Sequence, residues 1–273
     1  MKNAASLGDA QVDGSQVDLV MLDMDGTILD LAYDNYFWRT LVFERYAALH
    51  GISRDEADAR LLPEFIATQH TLPWYCTDHW SRVTGLDMLV LKAEIRERIR
   101  PLPGAVAFLD AVRASGRGLW LVTNAHPDTW RLKLSHTGLQ PRFDRIVSSH
   151  EFGAPKEHLA FWRGLRAAHA FDPARTLFVD DSKAVLDAAP DLRVVGRLGV
   201  GLDNIDMAAC KARDVIVHPA TGANTLSVAE YVISTTLSLL RGAYSSNDAM
   251  IAGQWPRNAL IGLEASGRVM GLV

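Results

Sequence analysis

Residues Val17 to Asp23 read Val-Asp-Leu-Val-Met-Leu-Asp and run directly into Met24-Asp25-Gly26-Thr27. So short and apolar a run suits a strand buried on both faces, the environment of a parallel sheet. A strand of this kind delivers two carboxylates, Asp23 and Asp25, to one edge of the sheet. Gly26 then lets the backbone turn and approach a ligand closely. By itself the pattern also fits a solvated Asp-Gly turn.

The rest of the chain sets the context. From Pro101 onward, strand and helix patterns alternate. A helix over 105–114 precedes the strand Gly118–Thr123, and a helix over 128–135 ends near Gly138. A strand over 143–147, a helix over 157–168 and a strand over 176–180 follow. This alternation predicts an α/β fold, a Rossmann-like parallel sheet with helices on both faces. Ligands of such sheets sit at the carboxyl ends of the strands. Asp23, Asp25, Thr123, Asn124, Asp180 and Asp181 all fall there. Residues 32–100 break the alternation. Trp38, Val42, Tyr46 and Leu49 recur at helical spacing, and Ser53 with Glu56 forms a capping box. This stretch reads as a helical insertion, and residues 1–16 read as a flexible tail.

Each site element has a chemical use and a plain structural one. A carboxylate nucleophile splits a hard hydrolysis into two easier steps. A second acid two residues on serves as proton donor and acceptor. Thr123 and Asn124 end a strand, where a hydroxyl and backbone N–H groups can hold a phosphate oxygen, or merely form a turn. Lys156 offers a cation against phosphate, or is surface decoration. Asp180-Asp181-Ser182 offers hard oxygen ligands, or a helix N-terminus.

Taken together and in order, these segments resemble the four motifs of the haloacid dehalogenase-like (HAD) superfamily. The resemblance implies that Asp23 attacks phosphorus and that Asp25 is the general acid and base. It implies that Thr123 and Lys156 complete the catalytic set. Gly26, Thr27, Asn124 and His126 are the expected phosphate and substrate contacts. The implied cofactor is Mg²⁺, held by Asp23, the Met24 carbonyl and Asp181, with Asp180 as a ligand or acting through water. The insertion occupies the place of a helical cap. Asp34–Trp38, Gln69–Trp80, Thr123–Pro127 and Leu134–Leu139 look like the bacterial GMP/IMP 5′-nucleotidase branch. That branch implies a small-molecule phosphate ester as substrate, a purine nucleoside monophosphate such as GMP or IMP. The alternatives are a phosphatase or phosphomutase for another phosphometabolite, or an inactive fusion acting as an interaction module.

Beyond Pro190 a different family is evident. Leu192–Asp206 and Gly222–Tyr231 resemble D-2-hydroxyacid dehydrogenases of the phosphoglycerate type. Gly267–Val273 looks like a first Rossmann strand without the glycine-rich turn that should follow it. Gly199-Val-Gly201 is a lone G-x-G in the wrong context. No NAD binding and no dehydrogenase activity are expected. Asp191–Gly196 can supply a fifth sheet strand. The expected organisation is thus a catalytic core of 17–31 and 101–199, a cap of 32–100 and a mostly helical appendage of 200–273.

Composition narrows the partners. A net charge of −4 without a dense basic block argues against nucleic acid and anionic membranes. Two cysteines, Cys76 and Cys210, form neither a disulfide framework nor a metal-ligand spacing. With no apolar leader, these features predict a cytoplasmic protein. The helix near 225–240 is apolar on more than one face, so it is expected either to dock on the core or to pair two subunits as a homodimer. Size-exclusion chromatography tests the pairing: a dimer of the full chain alone would establish it. Identical monomeric behaviour of the full chain and of a chain ending at Gly199 would rule pairing out.

Overall fold

The computed structural model describes residues 16–182, 184–185, 194–197, 207–212, 216–219, 225–242, 246–269 and 271. Nearly all of the expected tail, the Gly199–Gly201 pair and residues 222–224 lie outside the described residues. The chain divides into two compact units, Met1–Pro219 and Ala220–Val273.

The first unit begins with β1, Leu19–Leu22, all four residues of which are buried. The cap follows: α1 (Ala32–Tyr36), a π-helical turn over Phe37–Leu41, α2 (Val42–His50), α3 (Arg54–Thr68), α4 (Leu72–Tyr75), α5 (Thr77–Thr84) and α6 (Met88–Glu94). The core resumes with α7 (Ala105–Ala114), β2 (Gly118–Thr123), α8 (Pro127–Thr137), β3 (Arg145–Ser148), α9 (Leu159–Ala168) and β4 (Thr176–Val179). The sheet order is β3-β2-β1-β4, every pair parallel. Leu22 is opposite Leu121 on one side and Val179 on the other. β1 and β4 therefore end level and β2 runs two residues further, so the residues at and after these strand ends meet at one rim.

Alternation along β1 explains the layering. Val20 and Leu22 pack with Leu109 and Val112 of α7 and Leu134 of α8. Leu19 and Met21 pack on the opposite face with Phe161, Trp162 and Leu165 of α9. Helix ends follow local rules: Ser53 and Glu56 close a reciprocal capping box at α3, and Gly138 ends α8 in the left-handed conformation.

The cap has its own core. Trp80 is fully buried, stacks on Phe65 at 4.1 Å and donates its indole N–H to the Trp74 carbonyl at 2.9 Å. Two neighbouring linkers carry the cap: Asp30 N–H donates to Arg100 O and Leu102 N–H to Ile28 O, each at 2.9 Å.

One expected strand pairs differently. β5 (Val194–Arg197) lies in a separate two-stranded parallel sheet with β6 (Ile216–Pro219), reached through α10 (Met207–Ala212). Among the described residues the main sheet has four strands. Cys210 and Val217 pack against the α9-side core, so dehydrogenase-like sequence contributes to the hydrolase unit. The pairing could not be read locally, because β6 satisfies the backbone of β5 from a segment some twenty residues on.

The second unit contains α11 (Thr225–Arg241) and α12 (Asn247–Ile251). No residue of α11 is buried, and Leu226, Tyr231 and Leu239 are each more than two-thirds exposed.

Candidate active site

The strand ends bring three carboxylates to one buried point. One oxygen each of Asp23, Asp180 and Asp181 lies within 4.8 Å of the others. Like charges this close need compensation. Lys156, itself 2% exposed, supplies part of it: its Nζ donates to Asp23 Oδ1 at 2.5 Å, Asp180 Oδ2 at 2.6 Å and the Val122 carbonyl at 3.1 Å. Burial opposes the charge on Lys156, but Asp180 and Asp23 outweigh it and raise its pKa. Burial pushes Asp23 up to about 6 against the pull of Lys156, and it pushes Asp181 up to about 6 as well.

Three carboxylates against one ammonium leave two negative charges in a desolvated pocket. A divalent cation would neutralise that excess, and hard oxygen donors are the set Mg²⁺ prefers. The shape agrees: a Cβ placed at Gly26, whose φ is +85°, would collide with the Asp181 carboxylate. The donor set thus fits the magnesium ion generally used by HAD-superfamily hydrolases. Asp180 differs from its neighbours, because its oxygens accept from Lys156 and from Ser182 N–H at 2.8 Å. Its geometry is that of a residue holding the lysine.

One expected ligand is corrected. The Met24 carbonyl accepts from Ile28 N–H at 3.0 Å and Leu29 N–H at 2.9 Å. Both of its lone pairs are occupied inside the loop, leaving none for an ion.

The other expected residues divide in two. Thr123 is buried at the rim, and its hydroxyl accepts from Ala125 N–H at 3.1 Å. Asn124 Oδ1 accepts from Lys156 N–H at 2.8 Å, and its Nδ2 donates to Glu157 Oε2 at 2.9 Å. Asn124 therefore fixes the lysine loop. The Thr27 hydroxyl is buried without a hydrogen-bond partner. His126 caps α8, its Nδ1 accepting from Asp128 N–H at 3.4 Å, and is absent from the cleft lining.

A second charged cluster surrounds Asp25, and sequence reasoning missed it. Lys133 Nζ donates to Asp25 Oδ1 at 2.7 Å and Asp34 Oδ2 at 2.5 Å. Lys92 Nζ reaches Asp34 Oδ1 at 3.4 Å and lies 4.2 Å from the Phe37 ring centroid. Both lysines are 1% exposed. Burial and the charge of Asp34 push Asp25 up to about 7, and Lys133 opposes them. Burial brings Lys92 down to about 8. The available signal was a lysine on an otherwise apolar face: Lys133 shares a helical stripe with Trp130, Leu134 and Thr137, and Lys92 sits in Leu-Val-Leu-Lys-Ala.

A cleft of about 700 Å³ joins this chemistry to the cap. Its lining includes Asp23, Asp25 and Lys156 at one end and Trp38, Phe65 and Trp74 at the other. Tyr75 closes one side by donating its hydroxyl to Glu157.

Clustered carboxylates, a fixed lysine and a pocket suited to a divalent ion thus lie at one rim of a capped parallel sheet. The haloacid dehalogenase-like hydrolase family matches residues 17–191. The chain belongs to that family and is a phosphoric monoester hydrolase of it. It is 45% identical over 184 residues to the GMP/IMP nucleotidase YrfG of Escherichia coli, covering 67% of this chain and 83% of that protein. A HAD phosphatase structure from Thermococcus onnurineus superposes with a TM-score of 0.61 at 23% identity, over 70% of this chain and 92% of that one, which supports the fold.

The catalytic domain of D-isomer specific 2-hydroxyacid dehydrogenases matches residues 166–259. There the chain is 57% identical over 91 residues to the (S)-sulfolactate dehydrogenase of Chromohalobacter salexigens. That stretch is 33% of this chain and spans only 29% of the dehydrogenase.

Lys133→Met removes the cation beside Asp25, so the carboxyl should hold its proton to still higher pH. Any step needing Asp25 as a base should then shift to higher pH. At neutral pH, kcat should fall on the order of a hundred-fold, the lower end of what general acid–base catalysis contributes. Measuring kcat against pH checks this; an unchanged profile would remove Lys133 from that role.

Proposed function

We propose that the chain is a Mg²⁺-dependent nucleotidase acting on purine nucleoside 5′-monophosphates, GMP and IMP, in the cytoplasm. The observation that carries this reading is the charge imbalance at Asp23, Asp180 and Asp181, set beneath an aromatic cap cleft. The 45% identity to a GMP/IMP nucleotidase supports the substrate class.

In this reading the Asp23 oxygen not bound by Lys156 attacks phosphorus as the bond to the nucleoside 5′-oxygen breaks. Asp25, protonated near neutral pH, gives its proton to that oxygen. Asp25 then takes a proton from water as the water attacks phosphorus, which frees Asp23 and releases phosphate. Lys156 keeps Asp23 oriented and offsets charge on the transferring group. Mg²⁺, held by Asp23 and Asp181, would screen the phosphate from the carboxylates. The Thr123 and Thr27 hydroxyls and the turn at Gly26 are assigned to the phosphate oxygens.

At the cap end, Trp38 and Trp74 offer faces for a purine. Arg54 donates to Asp58 at 2.6 Å, and both line the cleft. Such a donor–acceptor pair matches the O6 acceptor and N1–H donor of a 6-oxopurine. AMP presents the reverse pattern.

Phosphate release from GMP, IMP, AMP and sugar phosphates, with and without Mg²⁺, tests the proposal. Mg²⁺-dependent release is expected, fastest for GMP and IMP, and Asp23→Asn should abolish it. Equal or faster release from sugar phosphates would favour a general phosphatase. No release from any ester would favour an inactive fusion.

A further inference from the structure

We propose that Cys76, His126 and His150 form a second metal site, for a borderline-soft divalent cation such as Zn²⁺, and that the ion pins the cap to the core. The three residues come from separate places. Cys76 lies between α4 and α5 in the cap, His126 caps α8, and His150 follows β3. One donor atom from each lies within 4.8 Å of the others. The two imidazoles meet edge to face, with centroids 5.0 Å apart.

The state of each ligand suits a metal. His150 Nε2 is buried without a hydrogen-bond partner. A buried ring nitrogen left so is uncommon and calls for an explanation. Asp128 N–H meets His126 Nδ1 at only 3.4 Å, and Asp128 Oδ2 lies 3.6 Å away, so the ring presents Nε2 to an ion by exchanging that long bond for an Nδ1 proton shared with the carboxylate. That Nε2 is 3.8 Å from Asp78 Oδ2, an exposed carboxylate able to complete the set. One sulfur, two nitrogens and one oxygen make a tetrahedral zinc set. With Zn–S near 2.3 Å and Zn–N near 2.0–2.1 Å, the donors need to close by about 1 Å. Mg²⁺ would not compete, because it prefers oxygen and octahedral geometry. The cysteine spacing in the sequence is silent because the ligands converge only through folding.

The location gives the ion a task. Tyr75, next to Cys76, donates to Glu157. Asn124, two residues before His126, holds both Lys156 and Glu157. An ion at this point would clamp the cap beside the residues that fix the catalytic lysine.

The test uses the full chain, stripped with EDTA and returned to excess Mg²⁺, then titrated with Co²⁺. A thiolate-to-cobalt charge-transfer band is expected to saturate near one equivalent and to be bleached by Zn²⁺. The aspartate pocket holds no sulfur and cannot give this band. Cys76→Ser should lose the band while keeping the wild-type circular dichroism and melting midpoint, and Cys210→Ser should retain it. His150→Ala should weaken Co²⁺ binding by at least about tenfold. Absence of the band in folded wild-type protein, or its survival in Cys76→Ser, would overturn the site. Zn²⁺ should also slow hydrogen exchange over residues 70–80; unchanged exchange would overturn the pinning.

Discussion

Lys156 is the point on which the rest of the site depends. Parallel strands that end level place their following residues at one rim, and here those residues are acidic. Without a cation between them, Asp23 and Asp180 would repel in a region closed to water. Lys156 bridges both, and its own position is over-determined: Asn124 takes its backbone N–H, and Trp162 donates to its carbonyl at 2.8 Å. The single ammonium does not balance three carboxylates. The remaining negative charge suits the cluster to a divalent ion of the kind HAD-superfamily hydrolases generally use.

The second cluster ties acid–base chemistry to the cap. Asp25 comes from the core, Lys133 from α8, and Asp34 and Lys92 from the cap. Each bond in the chain Asp25–Lys133–Asp34–Lys92 crosses between segments distant in sequence. The proton affinity of Asp25 is therefore set partly by how the cap sits. A displaced cap would alter the charge facing Asp25 as well as opening the cleft to water.

Much of this was legible in the sequence, for physical reasons. Strands buried within a sheet announce themselves as apolar runs, so β1, β2 and β4 were readable, with the acids after β1 and β4 and Thr123 at the end of β2. Capping is local chemistry, so Ser53 with Glu56 and the stop at Gly138 were readable too. Tertiary pairing was not. Nothing near Lys133 or Lys92 reveals the aspartates they meet, and Asn124 reads as a turn residue until Lys156 folds against it. The Met24 carbonyl was misjudged because hydrogen bonding inside a tight loop depends on residues that follow it. β5 had the composition of a sheet strand, but its partner β6 lies in sequence that resembles another family. The hydrolase unit thus incorporates dehydrogenase-like residues into its packing.

Covalent phosphorylation of Asp23 is the step on which the proposed chemistry turns. The most direct measurement is mass spectrometry of Asp25→Ala protein quenched during turnover with GMP and Mg²⁺. Loss of the acid–base group should let a phosphorylated species accumulate on the peptide containing Asp23, and Asp23→Asn should remove it. Steady turnover with no phosphate on that peptide, or label persisting in Asp23→Asn, would contradict the account.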